Sequence, residues 1–253
     1  MGLAAGSPAS GTRSFADLHS HSRASFDSLA DPTSMLERAL RLGLTHLAIT
    51  DHERIDGAQR AVELAGDRLV VIVGEEVRSR DGDLIGLFLQ RAVAPGMSAA
   101  ETAAAIHEQG GLVGLPHPFD GFRSSGGSRT AGAVGRLEEL AALVDYVETH
   151  NARAYRDANP QAAAFAARHS LPGVASSDAH SVMELGIAST ILPGPFATAA
   201  ELLALLPQAQ PMPGRASYYV RLWTPAAKLV QRLRGNGRIR SSHEAMPGAG
   251  GTA

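Results

Sequence analysis

Phe15-Ala16-Asp17-Leu18-His19-Ser20-His21-Ser22 runs from a strand-like segment, Phe15 to Leu18, straight into two histidines one residue apart. In extended backbone, side chains at i and i+2 point to the same side. His19 and His21 can therefore converge on one cation. The spacing returns far downstream, where Asp178-Ala179-His180 follows the strand-like Gly173 to Ser176. Three further apolar runs end the same way. Thr45 to Thr50 leads into Asp51-His52, Leu69 to Val73 into Gly74-Glu75-Glu76, and Leu112 to Leu115 into His117 between two prolines. A lone histidine or acid at a strand end has an ordinary structural use. Acids and imidazoles recurring at one end of successive strands need a shared counter-charge.

Between these runs the chain reads as helices. Pro32 to Leu42 has Asp31 as N-cap, Pro32 in the first turn and Gly43 to end it. Ser98 to Glu108 opens with a capping box, Ser98 and Glu101. Gly57 to Ala65, Ala133 to Leu143, Pro160 to His169 and Thr198 to Leu206 also read as helical. Leu84 to Leu89 and Tyr146 to Thr149 are the remaining strands. The alternation predicts parallel strands with helical crossovers, and about seven such units predict barrel-like closure. In such folds the carboxyl ends of the strands carry the active site.

The chain has 253 residues, no cysteine and a net charge of −2. Disulfides, thiolate nucleophiles and cysteine-held zinc are excluded, so any metal must sit on His, Asp and Glu. No global basic field recruits nucleic acid, which enters only as a substrate. No apolar run approaches the ~20 residues of a membrane span. Residues 1–14 read as a flexible leader without a signal peptide, which predicts a cytoplasmic protein. Residues 15–215, which carry the strand-end motifs, are expected to form one domain. Residues 216–253 form an extension: a basic amphipathic segment, Tyr218 to Leu233, expected to pack on the barrel, then a tail expected to be disordered from Asn236. Asp120 to Gly135 reads as a loop beside the site that selects the substrate.

The motifs Asp17-Leu18-His19-Ser20-His21-Ser22, Thr50-Asp51-His52, Gly74-Glu75-Glu76, His117-Pro118 and Ser177-Asp178-Ala179-His180 resemble those of the PHP (polymerase and histidinol phosphatase) family, in the family's order, across residues 15 to 215. The resemblance implies a distorted (β/α)7 TIM-like barrel with its metal site at the C-terminal ends of the strands. It implies two or three divalent ions (Mn, Fe, Zn or Mg) and phosphoesterase activity through a metal-activated hydroxide. It assigns His19, His21, Glu76 and Asp178 to one ion, Glu76 and His117 to a second, and Asp27, His52 and His180 to a third. Asp83 stands where many relatives carry a histidine. It is either a ligand of the second ion, favouring Mg²⁺ or Mn²⁺, or a turn residue of Asp81-Gly82-Asp83.

For the chemistry, Asp178, His180 and His150 are the candidate catalytic residues. Arg153 is the first choice for the substrate phosphate, with Arg23 and Arg123 behind it. Asp17 and Asp51 are expected to orient imidazoles from behind. Phe119, Phe122 and Tyr155 are available to stack on a base. His46, His107, His169 and His243 read as structural or exposed. The expected substrate is a small phosphorylated metabolite or nucleotide. Two other readings are an amidohydrolase-like metal hydrolase and a non-catalytic, metal-stabilised module. The first usually needs a lysine bridging its metals, and the only lysine, Lys228, lies outside the barrel motifs.

Overall fold

The computed structural model describes residues 13–120, 137–155 and 157–239. The strands are β1 (Ser14–Asp17), β2 (His46–Ile49), β3 (Val70–Arg78), β4 (Asp83–Leu87), β5 (Leu112–Leu115), β6 (Tyr146–Asn151), β7 (Gly173–Ser176), β8 (Ser189–Leu192) and β9 (Gln210–Met212). The helices are α1 (Pro32–Arg41), α2 (Asp56–Ala65), α3 (Ala99–His107), α4 (Ala158–Arg168), α5 (Ala199–Leu205) and α6 (Tyr218–Leu233). Of the expected helix at 133–143, residues 137–141 are helical and 133–136 lie outside the described residues. The caps read from the sequence are in place: Asp31 accepts from the Thr33 N–H, and Ser98 and Glu101 bond reciprocally.

The strands form one sheet in the order β7-β6-β5-β4-β3-β2-β1-β8-β9. Its ends approach each other, with β7 packed beside β8 and β9. The Thr190 hydroxyl spans that gap, accepting from the Ala175 N–H and donating to the Ala175 carbonyl, both at 2.9 Å. The result is the distorted, nearly closed barrel, with nine strands among the described residues where seven were expected. β8 and β9 were missed in the sequence. β9 is exposed at every residue and so has no apolar pattern to read.

The expected uniform parallel order also fails. β1–β2, β2–β3, β5–β6 and β6–β7 are parallel, but β4 runs antiparallel to both β3 and β5. The four residues between β3 and β4 are too few for a crossover, which needs a dozen or more. They make a hairpin instead, in which the Ser79 hydroxyl accepts from the N–H groups of Asp81 and Gly82. The reversal places Asp83, the first residue of β4, opposite Arg78 at the C-terminal end of β3.

Inside the barrel, Ala16, Ala48, Ile72, Ile85, Leu112, Tyr146, Val174 and Leu192 pack together, with Phe196 and Leu202 from the β8–α5 region. Outside, α1 and α2 bury Met35, Leu36, Ala39, Ala58 and Ala61 against β2. α6 docks through Ala227 and Gln231, one turn apart on one face. The buried Gln231 amide nitrogen lies 2.6, 2.9 and 2.7 Å from the carbonyls of Arg23, Ser25 and Ser28. This confirms the packing of the helix on the barrel and fixes the loop between β1 and α1.

Two stability predictions follow from these contacts. Gln231→Leu strands buried carbonyls, at about 1–3 kcal/mol for each group left unsatisfied. It should lower the urea midpoint markedly, whereas Leu229→Ala on the exposed face of the same helix should move stability by less than about 0.5 kcal/mol. His46 is buried, stacked on Phe196 at 3.8 Å, with Nε2 2.7 Å from the Phe196 carbonyl. Burial depresses its pKa. A depressed folded-state value contributes stability above the unfolded pKa of about 6.5 that is lost on acidification. The Tm of the native chain should therefore fall more steeply between pH 7.5 and 5.5 than that of His46→Gln; parallel curves would refute this.

Candidate metal centre

His19 and His21 leave the C-terminal end of β1, and Asp178 and His180 leave that of β7. The two segments are laced together by a parallel bridge between Ser20 and Ala179. The His21 N–H donates to the Ala179 carbonyl at 2.8 Å, and the Asp178 N–H to the His19 carbonyl at 2.9 Å. Asp178 takes a left-handed φ of 52° to do so. Both i, i+2 pairs thereby reach one point: His19 Nε2 and His21 Nε2 are 3.0 Å apart and lie 3.7 and 3.5 Å from Asp178 Oδ1.

Glu76 is at the centre. Strand alternation turns it into the barrel mouth and turns Glu75 away. Glu75 accepts from the Val93 N–H at 2.7 Å, and burial pushes its carboxyl up to about 8. Glu76 Oε2 lies 3.3 Å from His19 Nε2, 3.3 Å from His21 Nε2 and 3.4 Å from His52 Nδ1, while Oε1 lies 3.2 Å from His117 Nε2. One carboxylate thus faces four imidazoles, with its two oxygens divided between them. Beside it, Asp27 Oδ2 sits 3.4 Å from His52 Nε2 and 3.3 Å from His180 Nε2. Asp83 lines the same cavity, buried, with Oδ1 lacking a hydrogen bond.

Among the described residues, three groups could hold ions: His19, His21 and Glu76; His21, Asp27, His52 and His180; and His19, His117 and Asp178. The donors are imidazole nitrogens and carboxylate oxygens, which suit borderline and hard divalent cations. The chain's own charges balance one another within the cluster. Burial disfavours a proton on His19, yet Glu148 and Glu76 outweigh it and hold the ring at about 9; Glu76 and Asp27 do the same for His52. Burial and the rings of His180, His52 and His19 press His21 well below its usual value. Without a metal, protons neutralise the carboxylates.

The sequence reading missed Glu148. Its Oε1 lies 3.1 Å from His19 Nδ1, and Oε2 accepts from the His117 N–H and from Asn151 Nδ2. Asn151 Nδ2 also donates to Asp178 Oδ2 at 2.9 Å. The expected member of this strand was His150. Alternation from the inward Tyr146 turns Glu148 to the centre, and a β-bulge between Glu148 and His150 then brings Asn151 there in place of His150. His150 instead bonds the Gly214 carbonyl and Asn159 and does not line the cavity. The bulge follows Glu148 directly, and only strand pairing discloses it.

Asp17 and Asp51 also act otherwise than expected. Asp17 accepts from the hydroxyl and N–H of Ser177, and Asp51 from those of Ser22. They staple the strand-end segments together and do not orient imidazoles. Burial raises both to about 6.

A cavity of about 380 Å³ opens over the cluster. Arg153 lines it, with Nη2 donating to Thr224 Oγ1 at 2.7 Å and Nη1 3.4 Å from Glu184 Oε1. Arg23 does not; it is exposed and paired with Asp31 at 2.9 Å. Arg123 and Phe122 lie outside the described residues, as does the loop 121–135. Phe119 packs on Phe165, whereas Tyr155 lines the cavity. Among the described residues, Phe26, Thr224, Lys228 and Arg238 also line it and were not anticipated. Lys228, far from the motifs in sequence, stands over the Phe26 ring at 5.3 Å. Arg238, assigned to the tail, lies 2.9 Å from Glu53 Oε1.

Residues 17–152 match the family model described as the PHP domain, and residues 156–210 match one described as PHP-associated. An uncharacterized protein of Methanocaldococcus jannaschii is 33% identical over 173 residues, 67% of each chain. A two-domain Bacteroides vulgatus protein described as containing a PHP-like metal-dependent phosphoesterase superposes with a TM-score of 0.66 at 17% identity, over 81% of this chain and 66% of that one. A lesion-specific endonuclease from Pyrococcus furiosus superposes with a TM-score of 0.61 at 19% identity, over 79% of this chain and 58% of that one. Both share the fold. Because the PHP domain model spans more than half of the sequence, the chain belongs to the PHP domain family.

Proposed function

We propose that this chain is a metal-dependent phosphoesterase acting on a small phosphorylated metabolite or nucleotide. The observation that carries the reading is Glu76, whose two oxygens face separate imidazoles in a buried cluster that has cationic side chains above it. A phosphate ester matches both layers: metals below for the reacting oxygens, and Arg153 above for the remaining charge. The name of the Bacteroides relative supports the same class. His19, His21, Glu76 and Asp178 would hold one ion, and Asp27, His52 and His180 another. Glu76 and His117, with Asp83, form a further corner. Bound divalent ions supply Lewis acidity toward water and the phosphoryl oxygens.

The chain's own residues do the rest. Glu148 holds the Nδ1 proton of His19, so the Nε2 lone pair is the one presented to a cation. Asn151 engages Asp178 Oδ2, which leaves Oδ1 turned toward His19 and His21. His180, at the cavity wall, or Asp178 beside it would pass the proton released by the attacking water to the leaving oxygen. Phe26 and Tyr155 favour a substrate with a flat ring, such as a nucleotide. The amidohydrolase-like reading loses ground, because Lys228 stands at the cavity wall and not between the ligand groups.

The test is phosphate release from nucleotides, sugar phosphates and histidinol phosphate by protein stripped with chelator and reloaded with Mn²⁺. Activity should vanish on stripping and return on reloading. Asp178→Asn and His19→Ala should lose both bound metal and turnover. Glu148→Gln should cost about 10–100-fold in metal affinity or kcat/KM. Phosphate release untouched by chelation, or an unimpaired Asp178→Asn, would sink the proposal.

A further inference from the structure

We infer that Arg238 is a built-in cation for the Asp83 corner of the centre, and that it lowers by one the number of divalent ions the chain binds. The inference rests on the metal-centre reading above. Asp83 is buried at the hairpin end of β4, and its Oδ1 has no hydrogen bond. The Arg238 guanidinium approaches that oxygen to 4.0 Å. The nitrogen that does so, Nη2, is held by Glu53, 2.9 Å from Oε1, as is Nε, 3.1 Å from the same oxygen. Phe26 lies against it, with the ring centroid 5.3 Å from the guanidinium carbon.

This placement is built and anchored. Glu53 directly follows His52 and is buried in a left-handed conformation, φ 54°, with its N–H on the Glu76 carbonyl. A side-chain-bearing residue held there stores strain, and here that conformation accompanies a carboxylate delivered to the guanidinium. The backbone that carries Arg238 is fixed as well. Asn236 donates to the Ala24 carbonyl and accepts from Arg54, and Gln231 grips the 23–28 loop one helical turn earlier.

The charge at this corner differs in kind from that elsewhere in the cluster. The imidazoles around Asp27 and Asp178 each present a ring nitrogen that can serve as a neutral ligand. A guanidinium cannot be deprotonated in a protein, and it offers only donors. An ion ligated by Asp83 would bond at about 2.0–2.6 Å, a few ångströms from a fixed positive charge that is only partly exposed to screening water. Arg238 and a third ion are alternatives for the same carboxylate.

The test is metal stoichiometry. The full chain is stripped with chelator, equilibrated with excess Mn²⁺, desalted and assayed for manganese per chain. The native protein should retain about two ions and Arg238→Ala about three. Arg238→Lys keeps a positive charge and should stay at two. Arg238→Ala combined with Asp83→Asn should return to two, because the carboxylate that the extra ion needs is gone. Three ions in the native protein, or two in Arg238→Ala, overturns this inference and leaves the metal-centre reading standing. No retained manganese in the native protein overturns both.

Discussion

The meeting of the two paired motifs in this candidate centre depends on the backbone bridge between Ser20 and Ala179. Its hydrogen bonds set the register of the segments that leave β1 and β7, and with it the meeting of His19 and His21 with Asp178 and His180. A slip of one residue along either segment would turn both of its ligands to the opposite face. The neighbouring staples guard against that slip. Asp17 binds Ser177 twice and Asp51 binds Ser22 twice, so the three strand ends are cross-tied by buried carboxylates that are not themselves ligands.

The centre also shows how a fold carries a charge load that it does not fully neutralise. Carboxylates and imidazoles are removed from water together, and protons hold the balance. Burying so many ionisable groups disfavours the fold unless each is paired. Metals that bind only the folded chain add to its stability by mass action. Order in the barrel mouth and cation binding are therefore one equilibrium, whereas the apolar interior formed by Ala16, Ile72 and Leu192 stands apart from it.

The ligand motifs were legible because i, i+2 spacing after a strand is a local property. His19 with His21 and Asp178 with His180 needed only alternation to be placed together. The antiparallel β4 could have been read as well, since residues 79–82 cannot make a crossover. Other features were hidden for a physical reason. Asn151 takes the inward place and His150 leaves it because a bulge, visible only in strand pairing, breaks the alternation that Tyr146 and Glu148 obey. Phe26, Lys228 and Arg238 gather at the cavity through the docking of α6, and no local pattern near Phe26 announces a partner two hundred positions away. β9 carries no apolar rhythm at all.

The grip of Gln231 on the carbonyls of Arg23, Ser25 and Ser28 spans 208, 206 and 203 positions. A chain made from its N-terminus supplies Asp27 early and Gln231 late. The strands can pair and the His19–Asp178 meeting can form while the loop carrying Asp27 still lacks its fastening. The cavity is thus completed from the distant end, so a nascent chain can hold a formed barrel before it holds a finished mouth.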